Sequence, residues 1–117
     1  MDQQQADAIA AEWVEAWNAH DLERILSHYA DTLEFTSPLI VERLGRKDGT
    51  IRSKAELRPY FAAGIAPGTG LRFELIDVLP GVASVTLYYR NQRGRTVAEV
   101  MFFGPDGKVT RAAVHYH

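Results

Sequence analysis

Residues 82–103 read VASVTLYYRNQRGRTVAEVMFF, two runs rich in β-branched and aromatic residues joined by a polar tip. Runs of this kind around Arg93-Gly94 predict a β-hairpin. With those two residues as the turn, Gln92 pairs with Arg95, Tyr88 falls opposite Glu99 and Thr86 opposite Met101. One face then holds a carboxylate, Glu99, among hydroxyl and apolar groups. The other face holds Val85, Leu87, Tyr89, Ala98, Val100 and Phe102, so both sides of the hairpin require a covering layer.

The composition limits what can supply those layers. A chain of 117 residues with 46% apolar content suits a single domain, residues 1–117, around one core. The formal charge is -2 and the 13 basic residues are dispersed, so no nucleic acid or anionic membrane is expected as a partner. The absence of cysteine excludes disulfides, thiol nucleophiles and thiolate metal sites. The opening MDQQQADAIAAEW lacks the basic start and apolar run of a secretory leader, and no segment approaches the ~18 apolar residues of a membrane span. A cytoplasmic protein is expected.

Upstream of the hairpin the pattern is helical. Asp2 and Gln5 have the spacing of a capping box, and Ala6, Ile9, Ala10, Trp13, Ala16 and Trp17 then form one apolar stripe ending in two indoles. Asn18-Ala19-His20 breaks it. Asp21 caps a second helix whose apolar face, Leu22, Ile25, Leu26 and Tyr29, runs to Ala30-Asp31. Leu33 to Ser37 reads as a short strand stopped by Pro38. Leu39 to Arg52 reads as a loop or irregular ribbon long enough to act as a flap. Ser53 to Glu56 forms a second capping box, opening a helix with Leu57, Tyr60, Phe61 and Ile65 on one face, although Pro59 would remove one of its hydrogen bonds. Strands Leu71 to Leu79 and Val109 to His117 flank the hairpin. Helices first and strands afterwards predict an α+β architecture with a mainly antiparallel sheet.

At Trp17-Asn18-Ala19-His20-Asp21-Leu22, His28-Tyr29-Ala30-Asp31, Phe35-Thr36-Ser37-Pro38 and Asp106-Gly107-Lys108-Val109 the chain resembles the SnoaL-like branch of the NTF2-like superfamily. That resemblance implies a cone, a curved sheet wrapped around three helices from the N-terminal half and enclosing a pocket. The superfamily includes polyketide cyclases, ketosteroid isomerases, dehydratases, epoxide hydrolases and proteins without chemistry, so it implies a pocket and not a reaction. Resemblance to the steroid isomerases puts their donor tyrosine at Trp13, their Asp-Pro proton shuttle at Ser37-Pro38 and their oxyanion-binding carboxyl at Glu99. Only the last keeps its chemical type, because a serine hydroxyl is no base at neutral pH and an indole only donates. A steroid-isomerase mechanism is not expected.

Both register and resemblance point Glu99 inward, where burial would raise its pKa toward neutrality and suit it to proton transfer. The structural alternative is a buried pair with Arg90 or a hydrogen bond from Tyr88. Tyr88, Tyr116, Tyr60 and Tyr29 are candidate hydroxyls, each also explicable as core packing. Resemblance sets Thr110, Ala112, Val114 and Tyr116 on the concave face. His28 sits at the end of the second helix, and His20 reads as an inter-helix break residue. His115 and His117 alternate onto the opposite face from Tyr116, so no metal site is expected. Arg90, Arg93 and Arg95 suit either an anion site or a solvated turn that discourages edge pairing. Val85, Leu87, Tyr89, Val100 and Phe102 predict a homodimer through the convex face.

These readings assemble into one hypothesis and its alternative. The first is a small cofactor-independent enzyme doing acid-base chemistry on an apolar, oxygen-bearing small molecule. Glu99 and Tyr88 would be catalytic, with ligand contacts from Trp13, Trp17, Tyr29, Phe35, Ser37, Tyr60, Met101, Val114 and Tyr116. The alternative is a non-catalytic ligand-binding or structural module in which Glu99 is a satisfied buried contact.

Overall fold

A computed structural model describes residues 1–117. Four helices, not three, stand against a six-stranded sheet. In chain order the elements are α1 (Gln3–Asn18), α2 (Leu22–Leu26), β1 (Tyr29–Thr36), α3 (Pro38–Leu44), β2 (Thr50–Ser53), α4 (Lys54–Gly64), β3 (Glu74–Pro80), β4 (Ser84–Arg90), β5 (Thr96–Phe103) and β6 (Val109–Tyr116). The sheet order is β2-β1-β6-β5-β4-β3. All neighbours are antiparallel except β1 and β6. Register shifts in β1, in β3 and between β5 and β6 add the local bends by which a sheet curves. The sheet stays open, with β2 and β3 as its edges.

The capping signals at Asp2 and Asp21 act as their sequence context predicts. Asp2 accepts from Gln5 N while Gln5 reaches back, and Asp21 accepts from Arg24 N. Ser53 likewise caps α4 through Glu56 N at 3.1 Å, but the Glu56 carboxylate turns to Arg46 instead of closing the box. Pro59 lies inside α4, which starts at Lys54 regardless. Small residues Ala6, Ala10 and Ala16 let α1 approach the sheet closely, with Trp13 and Trp17 buried on the same stripe. Three side chains lash this helix region to β3 and the segment leading into it. Gln3 Nε2 donates to Val78 O at 3.0 Å, Asn18 pairs with both backbone groups of Phe73, and His20 bonds Leu71 O at 2.8 Å. His20 therefore has a contact role beyond the helix break, and it occupies left-handed backbone at φ 55°.

Several sequence expectations are corrected. The second helix ends at Leu26, and Tyr29, expected on its face, begins β1 because His28 O accepts from Val109 N and draws the chain into the sheet. Pro38 does not simply stop a strand. It occupies the first turn of α3, where a missing N–H costs nothing, with Ser37 Oγ accepting from Leu39 N and Gly45 ending the helix at φ 68°. The expected loop from Leu39 to Arg52 is thus mostly α3 and β2. The strand expected from Leu71 starts only at Glu74.

The hairpin register is off by one. Arg90 pairs with Thr96, Leu87 with Glu99 and Val85 with Met101. The turn is Gln92-Arg93-Gly94 closed by Asn91 N to Arg95 O at 2.9 Å, with Gly94 at φ 77°, the three-residue loop in which a type I turn runs into a left-handed residue. One extra turn residue transfers the whole of β4 to the other face relative to β5. Val85, Leu87 and Tyr89 are buried inside the cone rather than forming a convex patch. Tyr88 is 36% exposed on the outer face opposite Ala98. Arg90 is exposed and donates to Gly94 O at 3.1 Å, so it forms no pair with Glu99.

This register makes a direct stability prediction. Leu87, fully buried, should cost about 2–5 kcal/mol on Leu87→Ala, whereas Arg90→Gln should stay within about 0.5 kcal/mol; urea unfolding of both variants checks the difference. Equal costs would restore the two-residue turn.

Candidate functional site

The inner face of β4 and β5 presents Val85, Leu87, Tyr89, Val97, Glu99 and Met101 to the helices. Glu99 is 4% exposed. Tyr89 donates to its Oε1 at 3.0 Å, and Oε2 makes no hydrogen bond within the protein. Around this pair stands an aromatic belt. Trp13 stacks on Phe73 at 5.4 Å between ring centres, Phe73 leans on Tyr89 at 4.6 Å, and Trp17 meets the edge of Phe61 at 4.9 Å. Such contacts exclude water and fix the rings' orientation.

Between belt and sheet lies a pocket with about 120 Å³ of space, room for several waters or part of a small ligand. Trp13 and Trp17 of α1, Tyr60 and Phe61 of α4, and Phe35 of β1 form its apolar walls. Leu71 and Phe73 close one side. The sheet contributes Tyr89, Glu99, Val114 and Tyr116. Leu39 and Arg43 of α3 cover it, and Asn91, Gln92, Arg93 and Arg95 from the hairpin turn stand at its mouth.

Burial pushes the Glu99 carboxyl up to about 7, with the Tyr89 hydrogen bond pulling it partly back. Tyr89 itself is raised well above the usual tyrosine range, first by burial and then by the Glu99 charge. Tyr116 is pushed up to about 12 by burial and by Glu99, against a lowering from Ser37 and Arg43. Burial also raises Tyr60, with Ser37 and Arg43 opposing it. The tyrosines are therefore neutral donors wherever Glu99 changes charge.

Most of the sequence-derived site residues gather here. Trp13, Trp17, Phe35, Ser37, Tyr60, Glu99, Val114 and Tyr116 all line the pocket. Ser37 is buried with its hydroxyl used as the α3 cap. Tyr88 is not brought to it, since the register turns that side chain outward. Tyr29 and Met101 are buried but are not on the pocket wall. Met101 borders a second cavity of about 270 Å³ beside Ile9, Glu12, Trp13 and His28. There Glu12 is held down to about 2 by hydrogen bonds from Arg24 and His28. The Tyr29 hydroxyl and the indole nitrogens of Trp13 and Trp17 are buried without acceptors. Missed by sequence reading are Tyr89, Phe73, Leu71 and Arg43. For Tyr89 the available signal was Asn91, whose side chain favours the longer turn.

The chain belongs to the SnoaL-like domain family, whose model matches residues 10–116. A SnoaL-like protein of unknown function from Burkholderia thailandensis is 44% identical, covering 99% of this chain and 97% of its own with a TM-score of 0.95. An NTF2-like protein of unknown function from Cytophaga hutchinsonii shares the fold at 11% identity, 96% and 89% coverage and a TM-score of 0.73. The epoxide hydrolase/cyclase-like enzyme SalBIII, of pyran ring formation in the polyether salinomycin, does so at 18% identity, 99% and 93% coverage and a TM-score of 0.73. No curated protein matches the sequence. No helix is long and apolar enough to cross a membrane.

The raised Glu99 pKa has a definite sign in stability. Its folded value of about 7 lies above the ordinary 4.5, so the folded state holds the extra proton between them. Stability should therefore fall, by up to about 3 kcal/mol, as pH rises from ~4.5 through ~7. Carboxyl-detected NMR should show a midpoint near neutrality, and Glu99→Gln should remove that component of the slope in urea unfolding. A midpoint at or below ~4.3 would mean a solvated or cation-paired group.

Proposed function

We propose that this protein is a small SnoaL-type enzyme, working without a cofactor, that transfers a proton with Glu99 to or from an apolar, oxygen-bearing molecule bound in the pocket. The observation that carries this is the Glu99 environment: one carboxyl oxygen held by Tyr89, the other unclaimed, in an aromatic pocket. A group that changes charge near neutral pH serves as donor when protonated and as base when ionised. Tyr89 fixes the carboxyl orientation and stabilises its charged form. Tyr116 and Tyr60 supply hydroxyls that stay protonated and can orient ligand oxygens. Trp13, Trp17, Phe35 and Val114 are the apolar walls in this reading.

A second reading, a ligand-binding module without chemistry, is supported by one specific observation. Glu99 is the sole carboxylate on the pocket wall, and the Ser37 hydroxyl is no base at neutral pH, so no second general base stands opposite. A homodimer through the outer sheet face belongs to either reading. It is supported by the partly exposed Tyr88 and Phe102, and no longer by Val85, Leu87 or Tyr89.

Incubation of the protein with enones, ketones and epoxides, followed by product analysis, tests the enzymatic reading. Glu99→Gln should lower turnover of any active compound at least ~10²-fold while Trp13 and Trp17 fluorescence reports unchanged binding. Compounds that bind wild type and Glu99→Gln alike and are never converted would leave the binding module as the function.

A further inference from the structure

The pocket mouth is far more basic than the protein as a whole. Arg43 from α3 and Arg93 and Arg95 from the hairpin turn line it, with Asn91 and Gln92 between them. The formal charge of the chain is nevertheless -2. Five cations elsewhere are paired with carboxylates: Arg24 with Glu12 and Glu15, Arg46 with Glu56, Arg52 with Asp48, Lys54 with Asp31, and Arg58 with Glu23. Lys47, Arg72, Arg90, Lys108 and Arg111, which are not, line neither cavity. None of the three mouth arginines is paired with an Asp or Glu side chain. Arg95 lies 5.0 Å over the Tyr116 ring and donates through Nε to His117 O at 3.2 Å, which holds it at the opening. Arg43 lies close enough to Tyr60 and Tyr116 for its charge to bear on both hydroxyls.

We propose that this rim selects ligands with an apolar body and a carboxylate at one end. The body enters among Trp17, Phe61 and Phe73, and Arg43, Arg93 and Arg95 hold the carboxylate. The inference rests on reading the cavity as a small-molecule site and adds the class of molecule. The orientation follows from charge. Deep in the pocket a carboxylate would face Glu99 in an aromatic setting, whereas at the rim it meets guanidinium groups that stay ionised and can donate two parallel hydrogen bonds to it. Unpaired cations around a low-dielectric opening also attract such a ligand from solution. Arg95 already shares one N–H with the backbone, so Arg43 and Arg93 carry most of the selection.

The experiment compares ω-phenylalkanoates, from phenylpropionate to phenylhexanoate, with the alcohols of matching length, using quenching of the two tryptophans. At about pH 6 the ligands are ionised while Glu99 remains mostly protonated. The best carboxylate should bind about tenfold tighter than its alcohol. That advantage should shrink to about threefold or less in about 0.5 M salt. Arg43→Gln combined with Arg93→Gln should abolish it and leave alcohol affinity unchanged. Equal binding of acid and alcohol by the wild-type protein would overturn the selection while leaving the pocket reading intact. A double variant that weakens both ligands equally would also overturn it, because the arginines would then act through shape. If no compound of either series binds, the small-molecule site itself fails, and the inference with it.

Discussion

The inside of this cone depends on one side-chain oxygen at its rim. Asn91 Oδ1 accepts from Arg93 N at 3.0 Å and Arg95 N at 3.1 Å, holding the hairpin tip one residue longer than a tight two-residue turn. Strand faces alternate, so that residue decides which member of the Tyr88-Tyr89 pair enters the core. Tyr89 enters, meets Glu99, and packs on Phe73 and Trp13. The same turn leaves Arg93 and Arg95 pointing at the opening. Register, pocket chemistry and rim charge are therefore set together.

A buried carboxyl sits uneasily in such surroundings. Ionised, it would carry a desolvation cost of several kcal/mol against a single hydrogen bond, and the protein answers by keeping it protonated up to near neutrality. The indoles of Trp13 and Trp17 and the hydroxyl of Tyr29, buried without acceptors, add unpaired donors at about 1–3 kcal/mol each. The rest of the chain shows the opposite economy, with capped helices and exposed ion pairs. Of these buried groups, Glu99, Trp13 and Trp17 lie on the wall of one cavity, a concentration of broken local rules that stability alone does not call for.

Much of the fold was legible in the residues. The Asp2 and Asp21 caps and the α1 stripe rest on capping chemistry and local periodicity and survive in the structure. Glu99 is buried as expected, although the hairpin register that pointed it inward is replaced, and β1 and β2 lie among the helices rather than after them. Errors came where two local signals competed. Ser37-Pro38 reads equally as a strand stop and as a helix start, and the helix prevails because Ser37 caps while Gly45 ends the turn. Tyr29 has helical spacing from Ile25 and Leu26, yet pairing with a distant strand overrides it. Arg93-Gly94 looks like a complete turn until Asn91 is counted as part of it. The pocket walls contributed by Leu71 and Phe73 had no local signature, since they are positioned by Asn18 and His20 from another part of the chain.

The parallel pairing of β1 with β6 carries a kinetic consequence. Tyr29 lies opposite Val109, so the first strand, already able to pair with β2, gains its second neighbour only when nearly the last segment of the chain is available. Closing so large a loop is entropically slow, while the β3-β4-β5 meander consists of adjacent strands and short turns that form early. Folding should thus proceed from the hairpin outward, with the first strand joining the sheet last. During synthesis β1, with Phe35, would wait with its β6 edge unpaired until the last strand emerges. That interval, rather than the finished cone, is when the chain is most exposed to aggregation.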